Sequence, residues 1–500
     1  MKYIFLLLFI LSTFISNAQT IERVIYWVHG LGGNSATWDR ASAATMNQES
    51  TLLGDYNARR VQSINLDYSQ HTSSVSATLP DLTYTMAQAG DLYLRSYGVN
   101  NYQNFLIAHS LGGIVGRSLD KFYSDNPGIT REMGGLVTFA TPHKGTVLLN
   151  NVQKITDFAA KACNDLKAGP QAGFIADRFY LRLLISSDNI DMVTKPLCDF
   201  ASTVVPKLFG GYGQPIAQQI NTSSPLLTGN TSDNLNLFNN NNLHKVAFYG
   251  RIENRDQTLW RMLNSAGQGP LHQMPSDLDP FTADDDDQGI VQGINENILN
   301  TKIEVDKWND HLRMYPACSG SPFSWWLSGG LINYFWCNNR QNDHDAATAA
   351  RDGWQRGMYW WITANEQYLR LIGGIETVKS GTTYECNCNQ YDYDGFLVNS
   401  WSTTSINPND CYSSNFFIDC NTTSSTDNYV DIPHDTDGAV TVESAKAFYG
   451  LDFNDPNNKN VVEIKGTNHS KVTNDVRTKN ALNDLFLGKK DPWFATRTKQ

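Results

Sequence analysis

Three short runs constrain the fold of this chain more than anything else in it: VIYWV (Val24–Val28), NFLIA (Asn104–Ala108) and GGLVTF (Gly134–Phe139). Each is nearly continuous in apolar residues instead of alternating with polar ones. A strand without a polar face is buried on both sides, as in a parallel sheet covered by helices. Helical patterns lie between the runs: DLTYTMAQAGDLYLRSYG, ending at Gly98, and a stretch from Ser110 to about Tyr123. KVAFYG (Lys245–Gly250) is a further core strand. Toward the C-terminal end, DTDGAVTVESAKAFYG, NVVEIKGTNH and VRTKNALNDLFLG resume the strand–helix alternation. The expected fold class is α/β, with a mostly parallel central sheet and helices on both faces.

Two long stretches interrupt that alternation. Residues 151–242 are rich in Asn, Ser, Thr and Gly. Residues 251–430 carry helical patterns near 291–312 and 342–371 and six of the eight cysteines. Both read as cap or lid insertions. The core is then expected in three pieces, 19–150, the strand 243–250, and 431–490, with 491–500 as a tail.

The N-terminal end sets the expected compartment. Lys2, the apolar run Tyr3–Leu11 and the small residues Ser16 and Ala18 form a signal-peptide pattern, residues 1–18, cleaved after Ala18. The run is shorter than the roughly 20 residues a membrane helix needs. No later stretch is long and apolar enough to span, so a secreted protein, periplasmic or extracellular, with no transmembrane anchor is expected. Eight cysteines in an exported chain default to disulfides. Loop length makes 163–198, 318–337 and 411–420 plausible pairs. The formal net charge of −11, to which the leader contributes only Lys2, argues against nucleic acid and against docking on anionic membrane. CNC at 386–388 is not a zinc-ligand spacing, and the acid run Ala283–Gly289 reads as a solvated loop before it reads as a calcium site. No metal ligand set and no required cofactor is expected; structural calcium has no support.

The stretch LIAHSLGGIVGR, Leu106–Arg117, sets a lone serine between a strand and a helix. Ser110 is either a helix cap or a nucleophile on a tight elbow. The elbow pattern is G-x-S-x-G, here A-H-S-L-G with Ala108 in the first glycine position, and with His109 and Gly112 flanking the turn. HGLGG, His29–Gly33, follows the first strand, where His29 and Gly30 would support an oxyanion loop. Two backbone N–H groups must converge on a developing oxyanion; Leu31 and Leu111 are the candidates. In chain order serine, acid, histidine, Asp437 precedes a glycine in a turn, and His469 follows it 32 positions later as the last histidine of the chain. Asp394, also before a glycine, and Asp435 are the competing acids. His434, inside the acid turn, reads as surface polar.

In this order VHGLGG, AHSLGGIVGR, ATPHKG, DGAVTVESA and GTNHS resemble the α/β-hydrolase superfamily, and within it the bacterial secreted lipases and lipase-like serine esterases. The resemblance covers roughly residues 21–150, 243–250 and 431–490. It implies an α/β-hydrolase fold with Ser110 as nucleophile, Asp437 as acid, His469 as base and the Leu31 and Leu111 amides as oxyanion hole. It also makes His143, in TPHKG, structural. The two insertions have no counterpart in it.

The second insertion is aromatic around Trp325, Trp326 and Trp336. These are either a substrate wall for an acyl chain or the insertion's own core. The function expected is cleavage of carboxylic esters, lipid-like ones first, with transient contact at lipid interfaces. An amidase, peptidase or thioesterase with the same triad is the alternative, and a non-catalytic binding protein on the same fold the third reading.

Overall fold

A computed structural model describes residues 23–46, 56–58, 61–97, 101–158, 160, 215–259, 261–262, isolated positions within 299–348, 363–411 and 417–499. The leader, the acid run, Trp325, Trp326, Cys163, Cys198 and Cys318 lie outside the described residues. Among the described residues there are eleven strands: β1 Arg23–Val28, β2 Tyr56–Ala58, β3 Val61–Leu66, β4 Phe105–His109, β5 Gly135–Phe139, β6 His244–Arg251, β7 Ile375–Tyr391, β8 Leu397–Ser405, β9 Ile418–Pro433, β10 Val461–Lys465 and β11 Arg497–Lys499.

The chain forms two units, Met1–Gly373 with Asp435–Gln500, and Gly374–His434. The first contains a six-stranded sheet in the order β10-β6-β5-β4-β1-β3, and every pairing in it is parallel. β1, β4 and β5 are buried at every position, as their unbroken apolar runs require. Their side chains meet in one core with Trp38, Val246, Phe248, Leu482 and Phe486. This is the mostly parallel α/β sheet expected.

Three differences from the sequence reading are structural findings. β3 is a sheet-edge strand of half-buried residues, VQSINL, whose weak alternation gives no apolar run to read. Within the segment expected as a tail, residues 491–499 are packed: Phe494 is fully buried in the core, Trp493 stacks on His244 with centroids 4.5 Å apart, and β11 pairs with β2.

The third difference lies in the second unit. The expected helical insertion is, over Gly374–His434, a three-stranded antiparallel sheet in the order β8-β7-β9. β8 and β9 are almost wholly exposed and β7 is a mixture of exposed and half-buried positions; the only buried positions along the three are Cys386, Cys388 and Cys420. Among the described residues the unit holds the disulfides Cys386–Cys411 and Cys388–Cys420. The 411–420 pairing is therefore wrong: Cys388 and Cys420 are cross-strand neighbours in the ladder, a proximity that loop length does not encode. Cys337 is also disulfide-bonded.

Candidate active site

The site is assembled at the C-terminal ends of the parallel strands, where crevices of open α/β sheets form. Ser110 follows β4 directly and precedes the helix Leu111–Asp125. Its φ of 51° is in the left-handed region, which a side-chain-bearing residue enters only under constraint. The constraint is visible: Ser110 N–H donates to Phe139 O at 2.9 Å, and Gly113 N–H donates to Ser110 O at 3.0 Å. Ser110 makes no side-chain capping bond to its helix. Ser110 holds the N-cap position without capping through its side chain, and Oγ instead lies 3.0 Å from His469 Nε2.

His469 lies on the loop after β10. Its Nδ1 donates to Asp437 Oδ2 at 2.9 Å, and its backbone N–H donates to Asp437 O at 2.8 Å. Asp437 is fully buried. Its Oδ1 accepts the amides of Ala439 at 3.0 Å and Val440 at 2.8 Å. A buried carboxylate held by backbone donors and a histidine is satisfied as an anion. The acid turn returns to the end of β6: Ile252 N–H donates to Thr436 O at 3.0 Å. The chain leaves the sheet at Arg251 and comes back to the same place at Asp435, so the second insertion is spliced between a strand and its own acid turn.

The competing acids are placed elsewhere. Asp435 is mostly exposed and pairs with Arg251 at 3.5 Å. Asp394 sits in the exposed turn between β7 and β8, where its N–H donates to Asp392 Oδ1 at 3.0 Å. His434 pairs with Glu376 at 3.2 Å.

The HGLGG loop packs against the elbow. A methyl at Gly30 would lie 2.8 Å from Ser110 Cβ, and one at Gly112 would lie 2.3 Å from His29 O. Leu111 opens its helix, so its N–H has no intrahelical acceptor. Among the described residues the Leu31 N–H has no backbone acceptor. The loop is pinned downstream by a capping box at Asn34 and by Trp38, whose Nε1–H donates to Val28 O at 2.9 Å. His109 Nε2 lies 3.0 Å from His469 O.

Sequence reasoning missed the partners of His29. Its ring stacks on Tyr68 at 4.1 Å, and Tyr68 Oη–H donates to His29 O at 2.8 Å. The His29 ring beside Asp67 holds that carboxyl well below the usual carboxylate range. Both residues follow β3, the strand that left no apolar run. His143 is fully buried. Its Nε2 is 3.2 Å from Thr138 Oγ1 and its Nδ1 is 3.3 Å from Arg117 Nη1, and burial first, then Arg117, pushes its pKa down. Trp336 is half exposed, with the Arg340 guanidinium 4.8 Å over its ring.

Among the described residues no group of three or more His, Cys, Asp or Glu side chains is placed to hold a metal ion. No helix of the described residues is long and apolar enough to cross a membrane.

No family model and no curated protein matches the sequence. Solved structures do. Phospholipase PlaB from Legionella pneumophila is 13% identical with a TM-score of 0.28, over 47% of this chain. The match spans only 40% of PlaB's own length. The mature Bacillus licheniformis lipase BlEst2 is 15% identical with a TM-score of 0.25, over 50% of this chain and 76% of that one. An extracellular α/β-hydrolase from a Paenibacillus species is 11% identical with a TM-score of 0.23, over 45% of this chain and 76% of that one.

Proposed function

We propose that this chain is a secreted serine hydrolase that cleaves carboxylic esters, lipid-like ones among them. The observation that carries the reading is the line Ser110 Oγ to His469 Nε2 at 3.0 Å and His469 Nδ1 to Asp437 Oδ2 at 2.9 Å, set on a strained elbow. Serine is a weak nucleophile until an adjacent base takes its proton. His469 Nε2 accepts that proton as Oγ attacks the ester carbonyl. Asp437 fixes the tautomer and stabilises the imidazolium. The Leu31 and Leu111 amides receive the oxyanion. His469 then protonates the leaving alcohol, and water, deprotonated by the same imidazole, releases the acid from Ser110. Disulfides at Cys386–Cys411 and Cys388–Cys420 suit an oxidising compartment and support export.

The test is hydrolysis of short- and long-chain p-nitrophenyl esters by the protein and its folded Ser110→Ala variant. The expected loss is about 10⁶-fold in turnover, the scale at which a comparable triad fails without its serine. Equal activity in both, or none with any acyl chain, overturns the ester reading and moves weight to amide or thioester bonds.

A further inference from the structure

We propose that Tyr368 is a positioning residue for Asp437, acting through the peptide that joins Gly438 to Ala439. The proposal rests on the reading of Ser110, His469 and Asp437 as a catalytic set. Tyr368 lies on a helix spanning 363–372, inside the second insertion, with Ala364, Leu369 and Ile372 buried on the same side. The phenol is buried, and its Oη–H donates to Gly438 O at 2.8 Å.

Gly438 C=O and Ala439 N–H are opposite ends of one planar group. That group receives a hydrogen bond from Tyr368 at its oxygen and gives one to Asp437 Oδ1 at its nitrogen, at 3.0 Å. Asp437 Oδ2 carries the bond to His469. A continuous chain of hydrogen bonds therefore links Tyr368 to the imidazole through the Asp437 carboxylate, which accepts from both sides, and bonds in such chains polarise one another. The brace is needed because of the pivot. Gly438 has a φ of +97°, and glycine lets the adjoining peptide turn over at little steric cost. Turned over, the peptide would aim a carbonyl at a buried carboxylate and withdraw an amide from it. Tyr368 rewards only the orientation that aims the N–H at Asp437, and Met262 closes against the α-carbon of Gly438 from another side. Thr436 braces the turn from within, accepting Gly438 N–H at 3.0 Å and donating to Val440 O at 2.9 Å. Tyr368 is the hydrogen-bonding brace and Met262 the packing one, and both come from the insertion, which makes that insertion part of the hydrolytic centre and not only a cover.

The test is Tyr368→Phe, which removes one hydroxyl and keeps the ring. Two readouts are taken: steady-state ester kinetics, and the low-field proton resonance of the His469 Nδ1–H bond, which needs no substrate. The expected result is a fall in kcat of about 10-fold, the weight of one hydrogen bond, with KM unchanged and the resonance displaced and broadened. Tyr26→Phe, which removes a buried phenol bonded to Met86 O at 3.3 Å, leaves both readouts unchanged. Should Tyr368→Phe not fold, 3-fluorotyrosine at 368 keeps the shape with a stronger donor, and displaces the same resonance. A wild-type resonance and kcat in Tyr368→Phe, or an unmoved resonance with fluorotyrosine, overturns the proposal. Absence of ester turnover in the wild type overturns the reaction instead and leaves the resonance to decide Tyr368.

Discussion

The α-carbon of Gly30 faces Ser110: a methyl built there falls 2.8 Å from Ser110 Cβ and 2.9 Å from His109 Nδ1. Real carbons do not approach so closely, so Gly30→Ala has to displace the elbow or the HGLGG loop. A misplacement of about 1 Å at a reacting atom costs on the order of 10²-fold in rate. Gly30→Ala is expected to lose about that much kcat while its far-UV circular dichroism is unchanged. Gly112→Ala meets the His29 backbone oxygen at 2.3 Å, which cannot rotate away. It is expected to lower the unfolding midpoint as well, by about 1–3 kcal/mol of stability. Kinetics beside urea denaturation of the two variants separates the effects.

Asp437 and its two rivals give a discriminating series. Asp437→Asn keeps the amide acceptor for Ala439 and Val440 but cannot stabilise the imidazolium, and a loss of about 10⁴-fold in kcat is expected. Asp435→Asn removes only an exposed ion pair with Arg251, worth about 0–1 kcal/mol, and Asp394→Asn removes a charge on an exposed turn. Both are expected to stay within about twofold of wild type. Loss of activity in Asp394→Asn with Asp437→Asn intact would reassign the acid.

His143 predicts a pH dependence of stability. Burial and Arg117 hold its pKa well below the ordinary 6.5 in the folded protein, whereas the unfolded chain binds a proton near that value. The unfolded state therefore takes up more protons as pH falls below about 6.5, and stability falls with it. One proton amounts to about 1.4 kcal/mol per pH unit, so up to about 2 kcal/mol is lost between pH 6.5 and 5. His143→Gln removes that slope. Urea denaturation of both proteins at the two pH values checks it; parallel slopes would mean that His143 is not held neutral.

The parts of the fold that were legible are those where one residue pattern has one physical solution. VIYWV and NFLIA can only be strands buried on both faces, and β1 and β4 are that. Ser110, Asp437 and His469 were found as turn residues after strands, and the structure brings the three together. What was not legible is set by tertiary partners. VQSINL has no continuous apolar run, because as an edge strand it pairs with β1 alone among the described strands and is only half-buried. The polar strands TTYECNCNQ and DCNTTSSTDN have no core to declare them, since their ladder is exposed and cross-linked by sulfur. Tyr368 and Asp67 gave no local signal, because each acts on a residue far away in the chain.

That exposed ladder leads to the last prediction. Among the described residues the unit Gly374–His434 buries little besides Cys386, Cys388, Cys411 and Cys420, so burial of their apolar area contributes little to its stability. Its hydrogen-bonded ladder alone is marginal in water. The Cys386–Cys411 link closes a separation of 25 residues, and a loop of that size restricts the unfolded chain by about 3–4 kcal/mol. Reduction under native conditions is therefore expected to open this unit first. Limited proteolysis followed by mass spectrometry should place the new cuts within 374–434, while Trp27 and Trp38, in the core of the parallel sheet, keep their native near-UV signal. The double variant Cys386→Ser with Cys411→Ser should reproduce the cuts without a reductant. Cuts spread evenly over the chain, or none in 374–434, would mean that the ladder stands without its sulfur links.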